Sequence, residues 1–291
     1  MKNTILILIV VSISASCGRF GNTDEKENNK NRIVCISKQY SEIIFALGAQ
    51  ENLVAVDLSS TYPTEIKKLP TVGYHRALSA ETILAMKPTL ILHDNNIGPE
   101  HVVSQLEKLK IPMKTFGDYL STIHGTDSLI REIGNYFEKP NEADSLCQKF
   151  NREMQQALAE ARKYTKKPKV LIIHFGRASN VYLVMTKKNT AAKLLEWAGG
   201  EMAIDDEKGM KSLSPEVVAE ANPDIILLTD FGYDRLDHGK EIEKLPGITS
   251  TIAYKNNHIF RIEEHDLVYL GPRTGENVLR IQSLIHPNEN R

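Results

Sequence analysis

Neither sign of charge is in surplus in this chain. Lys plus Arg number 36 and Asp plus Glu 37, a formal net charge of -1. That balance removes the electrostatic reason to expect a nucleic-acid partner, so binding must come from a local site. Catalytic signatures are missing too: there is no P-loop, no GxGxxG, no HExxH and no GxSxG. Cysteine is scarce, with three residues, and tryptophan occurs once. The opening apolar run, Ile5 to Val11, is too short to span a bilayer. What remains is the composition of an ordered globular protein, 41% hydrophobic and 25% charged.

The N-terminus reads as an export signal. Lys2 supplies the positive start, the apolar run follows, and Ser14-Ala15-Ser16-Cys17 ends it. Small residues running into a cysteine resemble a bacterial lipobox, which predicts a signal peptide over 1–17 and lipidation at Cys17. Simple secretion with cleavage near the same place is the plainer alternative. Residues 18–31 are rich in Asn, Glu and Lys and poor in core-forming residues. They read as a flexible tether. The other cysteines, Cys35 and Cys147, fall on an expected buried strand and a buried helix face. They are expected to be small buried hydrophobes rather than a disulfide.

From Arg32 onward, short apolar runs alternate with helical patterns. The expected strands are 33–36, 53–56, 89–92 and 112–116, and the helices are 41–47, 79–86 and 101–109. Such alternation predicts a parallel sheet with helices on both faces. From Asn141 to Lys166 a single amphipathic helix is expected. Ala143, Leu146, Phe150, Met154, Ala157 and Ala161 recur along it at steps of three and four. The alternating plan then resumes, with strands expected at 170–174 and 224–229 and a helix at 191–198. Trp197 lies on the apolar face of that helix, as a core residue would. The fold class is therefore α/β: two Rossmann-like lobes with parallel sheets, at 32–140 and 167–287, joined by one long backbone helix at 141–166.

An internal echo supports two related lobes. Residues 78–94 read LSAETILAMKPTLILHD, and residues 213–229 read LSPEVVAEANPDIILLT. Ser79 and Ser214 stand as helix N-caps, and Pro215 suits the first helical position. Pro88 and Pro223 stop the helices before a buried parallel strand. Ligands of open α/β sheets bind beyond the carboxyl ends of the strands, so facing lobes place a site in the cleft between them.

The stretch from Arg32 to Leu92, with SSTYP (59–63) and LPTVGYHRALSAE (69–81), resembles the N-lobe of helical-backbone solute receptors in the periplasmic-binding-protein-like superfamily. NTAAKLLEWAGG (189–200) and LGPRT (270–274) extend the resemblance over nearly the whole mature chain. Cobalamin and siderophore receptors share this plan. The GY-x-R-x-LSAE piece is most similar to haem (hemin) receptors of ABC importers. The resemblance implies a non-enzymatic receptor that carries haem and delivers it to an ABC permease dimer.

It also implies roles for particular residues. Tyr74 falls on the tyrosine of the haem-type motif and is the expected iron ligand. Phenolate oxygen is a hard donor suited to ferric iron. Arg76 would favour the phenolate or pair with a propionate. His174, at the end of the first C-lobe strand, is a candidate opposite ligand, although the context here is His-Phe-Gly rather than Ser-His-Gly. His75 and His93 lie at expected lobe edges. Such receptors often carry an arginine after the strand that here reads IILLT; this chain has Phe231, with Arg235 four residues on. Phe231 and Tyr233 could stack on a flat macrocycle instead. Glu81 and Glu216, at matching places in the repeat, are the expected permease-docking acids, exposed and without intramolecular partners. An acid there also simply complements the helix dipole. Tyr62, Pro63 and the turn at 271–274 are expected to shape the cleft rim and pack a C-lobe turn.

Other cargoes remain open at this point: cobalamin, a ferric siderophore or another tetrapyrrole. So do a haem-handling enzyme or chelatase using Tyr74 and His174, and a sensor domain.

Overall fold

A computed structural model describes residues 31–117, 119, 121–176 and 179–287. The expected signal segment, Cys17 and residues 18–30 of the tether lie outside them. Among the described residues, no helix is long and apolar enough to cross a membrane.

The N-terminal lobe runs β1 (Ile33–Ile36), α1 (Lys38–Ala46), β2 (Leu53–Val56), α2 (Ala80–Ala85), β3 (Leu90–His93), α3 (Glu100–Lys108) and β4 (Met113–Lys114). Its sheet has the order β2-β1-β3-β4, with all pairs parallel. Every residue of β1 is buried, as a central parallel strand covered on both faces requires. Then come α4 (Ile123–Tyr136) and α5 (Pro140–Ala161). The C-terminal lobe holds β5 (Lys169–Gly176), β6 (Val181–Met185), α6 (Thr190–Trp197), β7 (Glu201–Met202), β8 (Met210–Ser212), α7 (Pro215–Ala221), β9 (Ile225–Thr229), α8 (Asp230–Asp234), α9 (Ile252–Lys255), β10 (Ile259–Ile262) and α10 (Thr274–Ile285).

The two-lobe α/β plan is as expected. The second sheet is mixed rather than wholly parallel. Strands β10, β9, β5 and β7 pair in parallel, while β6 and β8 add an antiparallel edge. The cause is local: Asn180, with φ 55°, turns the chain straight back from β5 into β6.

The connecting helix is shorter than expected. It ends at Ala161, and Tyr164 leaves the helical path to stack on His286 at 3.6 Å between ring centroids. Its 22 residues still span roughly 33 Å. One buried stripe serves both lobes. Ala143 and Cys147 enter the N-terminal core, whereas Phe150, Met154 and Ala157 enter the C-terminal core. Cys35 and Cys147 are free and wholly buried, and burial pushes both thiols up to about 12.

The repeat is structural. The unit α2–β3 recurs 135 positions later as α7–β9 (Ala80 to Pro215, Leu90 to Ile225). The caps differ in one respect. Ser214 accepts a hydrogen bond from the Val217 amide, whereas Ser79 holds the N-cap position without a side-chain bond.

Candidate functional site

Chain direction brings the polar residues together. In the N-terminal lobe, Lys38 and Asp57 follow the carboxyl ends of β1 and β2. In the C-terminal lobe, Gly176 ends β5 and Glu264 follows β10. These ends face one another across a cleft of about 640 Å³, within the range typical of small-molecule sites. Lys38, Ser59, Tyr74, His75, Arg76 and Asn96 wall it from the N-terminal lobe. His174, Gly176, Leu183, Met210 and Glu264 wall it from the other.

Tyr74 and His174 are thus brought to one cleft from opposite lobes, as the sequence suggested. Tyr74 is half-buried in the turn opened by Gly73, whose φ of 97° suits glycine. His174 is buried, with Nδ1 at 3.4 Å from the Thr229 hydroxyl at the end of β9. Arg76 also lines the cleft, but its guanidinium is turned onto Asn96. Nε and Nη2 both donate to Asn96 Oδ1, at 2.9 and 2.6 Å. Lys38 crosses to Glu264 at 3.6 Å.

The two aromatic candidates part company. Phe231 borders a small side cavity with Lys38, Ser59 and Glu264, residues that also wall the main cleft. Tyr233 packs instead into the C-lobe core cluster, its ring lying over Gly239. Its place in α8 points it to that interior, and it does not line the cleft. Arg235 spreads over the Phe175 ring, 4.4 Å from its centroid. His75 lines the cleft, while His93 accepts a hydrogen bond from the Asn95 amide. Burial holds the His93 imidazole below the usual range, over the opposing pull of Asp94.

Glu81 and Glu216 are exposed and each occupies the second position of its helix. Only Glu81 fits the expectation of an unpartnered acid among the described residues. Glu216 shares a hydrogen bond with Ser214, which holds its carboxyl below the usual range.

The sequence reading passed over a buried polar knot between the lobes. Glu42 on α1 is 3% exposed. It accepts bonds from Tyr269 at 2.6 Å and Arg273 at 3.1 and 3.2 Å, and pairs with His265 at 2.8 Å. Arg273 also reaches Asp266 at 3.0 Å, and Arg280 reaches Asp266 at 3.1 Å. The ring of Tyr62 lies 3.5 Å below the Arg273 guanidinium. Pro63 follows through a cis peptide bond. The turn at 271–274 therefore does more than pack its own lobe: it reaches across to the other. The available signal was a carboxylate on the apolar face of α1, between Tyr40 and Ile43, which demands a buried partner.

Comparison with known proteins fits this architecture. The sequence pattern of the periplasmic binding protein family matches residues 33–265. The chain belongs to the periplasmic binding protein family. It is 28% identical over 275 residues to the high-affinity haem uptake system protein IsdE of Staphylococcus aureus strain Newman, spanning 90% of this chain and 88% of that one. It is 27% identical over 272 residues to the uncharacterized ABC transporter substrate-binding lipoprotein YvrC of Bacillus subtilis strain 168, spanning 91% and 82%. The periplasmic haem-binding protein RhuT from Roseiflexus sp. RS-1, solved in apo form, superposes with a TM-score of 0.80. It shares 32% identity and covers 89% of this chain and 98% of its own.

Proposed function

We propose that this protein is the haem receptor of an ABC importer, with Tyr74 as the iron ligand and His174 opposite. One observation carries the reading: a phenol and an imidazole, from different lobes, wall the same cleft. Both are haem-iron ligands, and ferric iron favours the hard phenolate oxygen. Lys38 and Arg76 stand in the wall that holds Tyr74. Positive charge there favours the phenolate and suits haem propionates. The names borne by IsdE and RhuT point to the same cargo.

The receptor is anchored through Cys17 outside the cytoplasm, a reading supported by its lipobox and by the lipoprotein name of YvrC. Glu81 and Glu216, one per lobe, dock on a two-fold permease. Its role is binding and delivery, not catalysis.

Phe231, where such receptors often carry arginine, keeps another tetrapyrrole or cobalamin as the competing cargo. Absorbance titration separates them. Hemin should give a shifted Soret band and a phenolate-to-iron charge-transfer band, both lost in Tyr74→Ala. Tight cobalamin binding without any response to hemin would reject haem as the cargo.

A further inference from the structure

The backbone around Tyr74 is fixed on both sides. The Ala77 amide donates to the Tyr74 carbonyl at 2.8 Å, and the Gly98 amide to the His75 carbonyl at 2.8 Å. Leu78 returns a bond to the Gly98 carbonyl at 2.9 Å. These bonds set the Cα positions of the turn but leave a tyrosine side chain its torsions. The direction of the phenol depends on what its ring touches, and one such contact is the His75 ring. The two rings lie 4.3 Å apart, tilted by 54°. Rings at this separation touch.

His75 is itself held from behind. Its Nδ1 stands 3.5 Å from Asp57 Oδ2 and 3.2 Å from the Ser59 hydroxyl. Asp57 has a wholly buried side chain at the end of β2. It accepts bonds from the Ser60 hydroxyl at 2.6 Å, the Ser59 amide at 2.9 Å and the Ser59 hydroxyl. Burial alone would raise this carboxyl. Its bonds with His75, Ser59 and Ser60 outweigh that and hold it below the usual carboxylate range. A buried carboxylate is costly unless fully bonded. This one directs part of its bonding to a side chain in the cleft wall, beyond what the turn at Ser59 and Ser60 requires. Arg76, next along the chain, is engaged by Asn96.

We infer that His75 is a positioning residue for the ligand-binding phenol: Asp57 fixes His75, and the His75 ring sets the direction of Tyr74. The inference rests on the haem reading for its purpose but not for its geometry. The order runs from strand β2 to Asp57, to His75, to Tyr74, each link a contact between named groups.

Three variants of the mature chain test it: His75→Ala, His75→Phe and Asp57→Asn. In ligand-free protein with labelled tyrosine ring carbons, the Tyr74 resonances are assigned by their loss in Tyr74→Phe. They should move toward the positions of unstructured tyrosine in His75→Ala. They should stay near wild type in His75→Phe, which keeps a ring in place, and move partway in Asp57→Asn. With hemin, His75→Ala should release ligand about tenfold faster, the scale of one lost aromatic contact. It should also displace the phenolate charge-transfer band, which loss of stability alone would not do. Unmoved Tyr74 resonances in His75→Ala overturn the inference, whatever the protein binds. Failure of the wild type to bind hemin overturns the haem reading instead, and the ring resonances still decide this one.

Discussion

The carboxylate of Glu42 in one lobe receives the guanidinium of Arg273 from the other, with Nε and Nη2 at 3.1 and 3.2 Å from its two oxygens. The pair is nearly closed to water, at 3% and 14% side-chain exposure. Removing one member of such a pair strands the other charge, which generally costs about 3 kcal/mol or more. Arg273→Ala should lower stability by about 3 kcal/mol in urea denaturation. Arg273→Lys should recover only part of it, because a point charge cannot reproduce a two-pronged contact. A loss under 1 kcal/mol would show that the knot contributes little.

The same knot makes the fold sensitive to acid. Burial alone would raise the Glu42 carboxyl, but His265, Arg273 and Tyr269 together hold it below the usual range. Asp57 is lowered in the same way. Unfolded Glu and Asp titrate near about 4.3 and 3.9. A carboxylate lowered by folding contributes stability that is complete above those values and is lost as pH falls through the folded value. The melting temperature should therefore be level from about pH 7 to 5 and fall steeply below about pH 4. Glu42→Gln should be less stable at pH 7 and show a shallower acid slope. An unchanged slope would place the sensitivity elsewhere.

Docking and binding should separate. Glu81 and Glu216 are exposed, so Glu81→Ala with Glu216→Ala should change stability by no more than about 0.5 kcal/mol. Hemin titration of the double variant should match wild type. Uptake in proteoliposomes holding the permease should fall at least about tenfold, the loss of about 1.4 kcal/mol at the docking surface. Full transport by the double variant would remove the docking role.

The thiols offer a probe of core integrity. Both Cys35 and Cys147 are wholly buried with their ionisation pushed up to about 12. A soluble form beginning after Cys17 should show no reaction with a thiol reagent at pH 8 until denaturant is added, and then two equivalents. Prompt labelling of the native protein would mean that one core opens readily.

Legibility in the sequence followed how local each signal was. Strands β1 and β2 begin and end where their apolar runs do, because period and burial coincide there. Helix α4 went unread because Gly125 and Gly134 weaken a helical pattern. Its glycine has a tertiary reason: a Cβ on Gly134 would come within 2.4 Å of the Ala143 Cβ on α5. Tyr74 and His174, named from a motif and a strand end, both come to the cleft wall. Tyr233 was misplaced because a short helix after β9 turns it inward. Glu42 was invisible because its partners lie more than two hundred positions along the chain, and no window of local sequence contains Glu42 together with Arg273. Asp57 bonds to Ser59 and Ser60 beside it, and only its link to His75 needed the fold.

One helix has its buried stripe divided between two cores, four residues to a turn or so, with Cys147 in one and Phe150 in the other. Melting should consequently show no pause between them. Loss of either half would strip cover from the rod that closes its neighbour, so the two halves are expected to stand or fall as a single cooperative body.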